Sequence, residues 1–275
     1  MNNHAIWGAF VGAVGLIGVG CGGQPHDDVG GLDQAITHGQ PDGNNHPAVV
    51  LLLMEVNGAP AFRCSASLLS PTVVLTAGHC AGEPGEFSGM RVFTESDVDN
   101  GNNNYPFAGP NSVEAVAWRA HPQFTEDAFF LHDVGVVILE EPGVVLDSSK
   151  YVKLPGLDQL DALKPTSSTG FTAVGYGVQR INTVKLEAER IRMFANPHLV
   201  QINTGFTGAF SLLLSNNASS GGTCFGDSGG PNFLGSSLTV AGVTSFGLNG
   251  SCGGTGGVFR LDRADVLAFI GSFSN

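Results

Sequence analysis

Gly226-Asp227-Ser228-Gly229-Gly230-Pro231 is the stretch on which the reading of this chain turns. Alone it is a glycine-rich turn, which a sequence with 40 glycines in 275 residues supplies readily. Two upstream stretches change its weight. Leu75-Thr76-Ala77-Gly78-His79-Cys80 is an apolar run that ends in a histidine beside a cysteine. His132-Asp133-Val134-Gly135-Val136-Val137-Ile138-Leu139 puts an aspartate at the head of another apolar run. A lone aspartate there is ordinarily a turn or capping residue. Together the three supply a base, an acid and an alcohol, in the order His79, Asp133, Ser228. A serine hydroxyl is a weak nucleophile until a base within hydrogen-bond reach takes its proton. The base in turn works best when a buried anion orients it and stabilises its cation.

Composition narrows the setting. Charged residues are only 13% of the chain, about half of the ~25% usual in soluble domains. That disfavours coiled coils, solvent-laced helices and charge-rich disorder, and suits short strands joined by glycine-rich turns. Twelve Lys plus Arg against 24 Asp plus Glu leave a net charge of −12. A nucleic-acid partner needs clustered positive charge and is therefore not expected; an anionic membrane surface would repel the chain. Residues 5–19 (AIWGAFVGAVGLIGV) form an uncharged apolar run, too short for the ~20 residues of a spanning helix but matching the core of a secretory signal. Residues 1–21 are read as that signal. Cys21 follows small residues, as at a bacterial lipoprotein cleavage site, so it is either a lipid attachment point or lost with the leader. Residues 22–35 lack periodicity and read as a linker or propeptide.

Cys64, Cys80, Cys224 and Cys252 then remain, an even number that reads as two disulfides in an oxidising compartment. Three pairings are open; Cys64–Cys80 would close a short loop worth ~3 kcal/mol on chain-entropy grounds. No CxxC spacing occurs, so zinc is disfavoured, and neither metal nor cofactor is expected. Strands are expected at 48–56, 67–76, 112–118 and 134–139, then at 171–174, 210–214, 238–245 and 257–261. A crossover is expected at 155–165 and a helix at 263–273. The segment 183–194 is rich in helix formers yet alternates at Val184, Leu186 and Ala188, and is read as strand.

The motifs around His79 and Ser228, with Asp133 between them, resemble the chymotrypsin-like (trypsin-fold) serine peptidases, in a bacterial-type secreted member. Gly226-Asp-Ser228-Gly-Gly230 also fits the G-x-S-x-G elbow of α/β-hydrolases, but that fold needs a histidine after the serine, and the last one here is His198. The resemblance runs from about Ile36 to the C-terminus. It implies an all-β fold of two six-stranded Greek-key antiparallel barrels (36–154 and 155–275), the site between them and a C-terminal helix. It implies His79 as base, Asp133 as its partner, and the N–H groups of Gly226 and Ser228 as an oxyanion hole. Asp127, in a polar loop, competes for the acid role; Asp133 is preferred because burial strengthens its field.

Asp227 would pair with a new α-amine at Ile36 after cleavage of an inactive precursor behind Ala35. The same likeness puts Gly222 at the floor of a specificity pocket beside Thr223. Ser245, Phe246 and Gly247 would line the substrate strand, with Gly247 and Gly257 as small walls. An open, uncharged slot of this kind suits apolar or aromatic side chains. The implied partners are protein or peptide substrates and an activating peptidase, with the chain a monomer, secreted or lipid-anchored. Two alternatives stay open: a catalytically silent binding relative, and an esterase on the same fold.

Weaker signals are Asp97-Val98-Asp99-Asn100-Gly101, where the calcium-loop order fails at Gly101, and the sequons Asn217-Ala218-Ser219 and Asn249-Gly250-Ser251. His121-Pro122 and His132 flank the catalytic strand without metal-ligand spacing.

Overall fold

The computed structural model describes residues 36, 38–128, 130–181 and 186–273. The leader, Cys21 and the 22–35 linker lie outside them, as do Thr183, Val184 and Lys185 of the ambiguous segment. A two-residue strand β1 (Gln40–Pro41) precedes β2 (Val49–Val56), whose sequence VVLLLMEV is buried at its first six positions. Such a run suits a strand covered on both faces. With β3 (Ala59–Leu68), β4 (Val73–Thr76), β5 (Gly89–Phe93), β6 (Ser112–Ala120) and β7 (Gly135–Leu139) it closes an antiparallel barrel in the order β2-β3-β4-β7-β6-β5. A single helical turn α1 (Gly78–Ala81) follows β4 and carries His79.

The second half is built from β8 (Phe171–Gly175), a small hairpin β9 (Arg180–Ile181) and β10 (Leu186–Glu187), then β11 (Met193–Ala195) and β12 (Leu199–Ile202). It continues through β13 (Ser211–Asn216), β14 (Pro231–Leu234), β15 (Val240–Gly247) and β16 (Gly254–Arg260), and ends in α2 (Ala264–Gly271). The sheet order is β1-β11-β8-β14-β15-β16-β13-β12. Eight strands stand where six were expected. One extra strand is β1, which pairs with β11 from the N-terminal end of the chain, and the other arises at Pro197, which has no N–H and breaks one run into β11 and β12. Those two strands lie towards opposite ends of the sheet yet are joined by Asn196-Pro197-His198, so the sheet is rolled back on itself. Phe171 N–H donates to Pro197 O (2.8 Å) and Leu199 N–H to Thr169 O (2.9 Å) across that corner.

The expected strand at 67–76 is two strands, because Pro71 cannot continue the ladder and the chain turns between β3 and β4. β5 and β14 were not anticipated: MRV interrupts one apolar run and PN opens the other. One buried cluster runs from the barrel through Val174, Phe233, Val243 and Phe259 to Val266 and Ile270 of α2. The disulfides are Cys64–Cys80 and Cys224–Cys252.

A buried arginine fastens the two halves. Arg192 has no exposed side-chain surface and its Nε donates to the equally buried Asp42 (3.0 Å). Its other nitrogens donate to Val49 O (2.8 Å), Tyr176 Oη (3.1 Å) and Gly43 O (2.8 Å). Replacing one partner of a buried pair leaves an uncompensated charge, which typically costs ~3–5 kcal/mol. Arg192→Met should therefore lower the unfolding free energy in urea by about that amount; a loss under 1 kcal/mol would show that the fork holds nothing.

Candidate active site

Asp133 heads β7 with no exposed surface, its carboxylate turned toward α1. Oδ1 accepts His79 N–H (2.9 Å), and both oxygens lie within reach of His79 Nδ1 (3.1 and 3.0 Å). Ser245 Oγ, from β15 in the other half, donates to Oδ2 at 2.5 Å. The anion is thus held by donors from two halves of the molecule. Burial alone would lower the pKa of His79, but the charge of Asp133 and its hydrogen bond outweigh that and leave it raised above 6.5. Asp127, the competing acid, sits exposed in a short 3-10 turn, and among the described residues no hydrogen bond or ion pair joins it to His79 or Ser228.

Phe124 packs against the backbone of Gly78, beside this pair. Its ring lies 2.8 Å from where a Cβ on Gly78 would stand, and Asp133 Oδ1 lies 3.2 Å from the same point. A Cβ at 78 would crowd both.

The nucleophile turn is braced by Ser65, a polar residue buried inside β3 that sequence reading passed over. Ser65 N–H donates to Ser228 O (2.8 Å), and Ser65 Oγ donates to Gly226 O (2.9 Å) while accepting Tyr176 N–H (2.9 Å). Ser65 follows Cys64, whose disulfide partner Cys80 follows His79. Through this link Ser228 and His79 are carried by one covalent and hydrogen-bonded frame. Among the described residues no hydrogen bond joins the Ser228 hydroxyl to His79; in such sites this contact commonly tightens only with substrate in place. The signal that could have found Ser65 is a serine among apolar neighbours in Cys64-Ser65-Ala66-Ser67-Leu68.

Gly226 has φ 93° and Gly229 φ 76°, both in the region that favours glycine. Between them the N–H groups of Gly226 and Ser228 have no acceptor among the described residues, whereas Asp227 N–H is used by Cys224 O (3.0 Å) and Gly229 N–H by Thr244 O (2.8 Å). Two unused donors flanking one residue can hold a developing oxyanion. Asp227 is buried; its Oδ1 accepts Gly177 N–H (2.8 Å) and its Oδ2 Cys224 N–H (2.9 Å). Burial pushes its pKa up to about 7, against those two donors and the charge of Arg63.

Beside Ser228 opens a cavity of about 240 Å³ lined by Thr223, Phe225, Ser245, Phe246, Gly247 and Asn249, with the Cys224–Cys252 bridge in its wall. None of its lining residues is charged. Gly222 and Gly257 do not line it, contrary to expectation. The space a Cβ would take at Gly222 is filled by the Asn216 side chain (2.3 Å), and at Gly257 by the Phe246 ring (2.4 Å). Phe246, whose ring occupies the Gly257 space, is itself one of the lining residues.

The family model described as Trypsin matches residues 36–264. Trypsin iota of Drosophila melanogaster is 25% identical over 224 residues, covering 80% of this chain and 77% of that protein. Among solved structures, HL collagenase has a TM-score of 0.65 at 19% identity, covering 86% of this chain and 98% of that one. The scabies mite inactivated protease paralogue S-D1 has a TM-score of 0.65 at 20% identity, covering 87% and 97%. At such identities the two structures show the fold. Relatives named for a fly and a mite lend no support to a bacterial-type member.

Two measurements check this geometry. The His79 ring proton resonance should titrate above 6.5 in the native protein. In Asp133→Asn the desolvation stands unopposed, and the midpoint should drop below 6.5; an unmoved midpoint would contradict the ion pair. Gly229→Ala puts a Cβ 2.0 Å from Thr76 Oγ1 at a positive φ, so stability should fall by about 3 kcal/mol or more.

Proposed function

Because the chain belongs to the trypsin family of serine peptidases, we propose that it is an endopeptidase working through His79, Asp133 and Ser228. The observation that carries this is the buried Asp133 carboxylate bonded to His79 Nδ1, with Ser228 braced onto the same frame. His79 takes the Ser228 proton as the hydroxyl attacks the acyl carbon, and returns it to the leaving amine. Asp133 keeps the imidazole in the tautomer whose Nε2 is free and stabilises the cation that forms. The unused N–H groups of Gly226 and Ser228 receive the oxyanion, each worth about 3–4 kcal/mol in the transition state. Water then releases the acyl group by the same steps in reverse order. Residues 1–21 are read as a secretory signal, so the mature protein acts outside the cytoplasm.

An organophosphonate should label Ser228 in the mature protein, and Ser228→Ala should abolish labelling; inert Ser228 in folded, cleaved protein would favour a silent relative instead. Asp133→Asn should lower kcat by about four orders of magnitude, because the wrong tautomer is then held.

The cavity beside Ser228 supports a preference for apolar or aromatic side chains. A lysine or arginine would be buried there without a counter-charge. Phe225 at its rim and Phe246 in its wall add aromatic surface. In a peptide-library digest, cleavage after Phe or Tyr should exceed cleavage after Arg or Lys; the opposite ranking overturns the preference.

We further propose that the chain is a precursor activated between Ala35 and Ile36. Ile36 is buried against Met193 and Ala195 of β11, the neighbour of β8, whose continuation bonds Asp227 through Gly177. It carries φ 42°, an unfavourable value for a β-branched residue. A freed amine pairing with Asp227 would supply the charge that this carboxylate now lacks. In the uncleaved chain Asp227 has a raised pKa, so the stability it contributes is full below the carboxylate's ordinary 3.8 and lost as pH rises through about 7. Cleavage removes that loss while the amine stays protonated. The rise in Tm on cleavage, measured in Ser228→Ala protein, should therefore be larger near neutral pH than at pH about 5. An equal rise at both would refute the pairing.

A further inference from the structure

His121 and His132 stand outside the triad, yet they bracket it. His121 opens the turn after β6: its N–H donates to Val134 O (2.8 Å), and its own O accepts Phe124 N–H (2.8 Å). Its Nδ1 accepts Gln123 N–H at 3.2 Å, which requires that nitrogen to be unprotonated. The ring is buried and stacked on His132, centroids 4.9 Å apart and 12° from parallel, with the Phe269 ring of α2 edge-on at 5.1 Å. His132 has φ 55°, immediately precedes Asp133, and its Nε2 lies 3.4 Å from Asp265 Oδ2 on α2. The titratable groups facing His121 are thus His132 from the loop before β7 and Asp265 from α2. Glu83 and Arg119 line the cavity of about 500 Å³ that His121 shares with Trp118 and Phe124.

We propose that His121 is a positioning residue for the His79–Asp133 pair, holding Phe124 in its seat against Gly78, beside Asp133, only while its Nδ1 carries no proton. The coupling is local and steric. Protonated Nδ1 would confront the Gln123 N–H donor with another donor, and the four-residue turn from His121 to Phe124 must open. Phe124 then leaves the glycine-lined seat at Gly78, and water in the adjoining cavity reaches Asp133. A solvated Asp133 exerts a weaker field on His79. Burial first, and the neighbouring His132 next, lower the pKa of His121 against the pull of Asp265, so the latch stays shut at neutral pH and opens in acid.

This inference rests on His79 and Asp133 acting as the base pair of the proposed peptidase. In cleaved wild-type protein, log kcat/KM should fall by one decade per pH unit as His79 protonates. It should steepen to two decades per unit once His121 titrates. His121→Asn keeps an acceptor for Gln123 N–H but cannot take the proton, and should fall by one decade per unit throughout. A single slope in the wild type, or two decades in H121N as well, overturns the proposal. If H121N does not fold, His132→Asn serves. It removes the like charge and frees Asp265, so the second break should move to higher pH; an unmoved break is equally fatal. A readout without turnover separates this from the peptidase reading. The low-field resonance of the proton between His79 and Asp133 should be lost to exchange below the second break in wild type and persist in H121N. If that pattern appears while no peptide is cleaved at any pH, the peptidase reading fails and the latch stands. A resonance insensitive to both pH and the substitution sinks the latch.

Discussion

One buried carboxylate organises the molecule. Asp133 sits where water cannot reach it, and an ion in that position is tolerable only if donors replace its hydration. Those donors come from α1, through the backbone and ring of His79, and from β15, through Ser245. Satisfying a single anion therefore demands that the closed barrel and the rolled sheet meet in one register. The glycine at 78 fits the same demand, because a Cβ there would crowd both the Phe124 ring and the Asp133 carboxylate.

A second set of constraints shapes the nucleophile turn. Gly226 and Gly229 adopt conformations that side chains resist, and each is crowded from outside: Gly229 by Thr76 and Ser65, Gly226 by Gly177. Ser65 answers the turn from the opposite barrel with its N–H and its hydroxyl. The turn around Asp227 is thereby held, leaving two N–H groups without acceptors among the described residues. Rigidity here is useful because donors that need not reorganise stabilise a transient charge more than mobile ones do. Asp227 lies beneath as the unfinished element, a buried acid with backbone donors but no full counter-charge, and its raised pKa records that deficit.

Much of this was legible in the residues. The order His79, Asp133, Ser228 excluded a rival elbow on chain direction alone. The apolar run behind Asp133 separated it from Asp127, since a carboxylate heading a buried strand is itself buried. The strands with unbroken β-branched or leucine-rich runs, such as β2 and β7, also announced themselves. What stayed hidden were features carried by exceptions: Ser65 looks like a break in an apolar strand, and β14 begins with Pro231. The second sheet's strand count hinged on the break at Pro197 and on β1 joining from the other end of the chain.

The chain's residues by themselves determined the chemistry available, because a base, an acid, an alcohol and flexible glycines are properties of side chains and of their absence. Only the tertiary structure decided where those groups act. The reach of Ser65 to Gly226 and of Ser245 to Asp133 joins segments distant along the chain. Even the nearer pairs, Asn216 at Gly222, Phe246 at Gly257 and His121 on His132, meet only because the chain turns back between them. Such meetings depend on how rolled sheets close on one another, and no local run of sequence encodes a distance between strands that it does not contain.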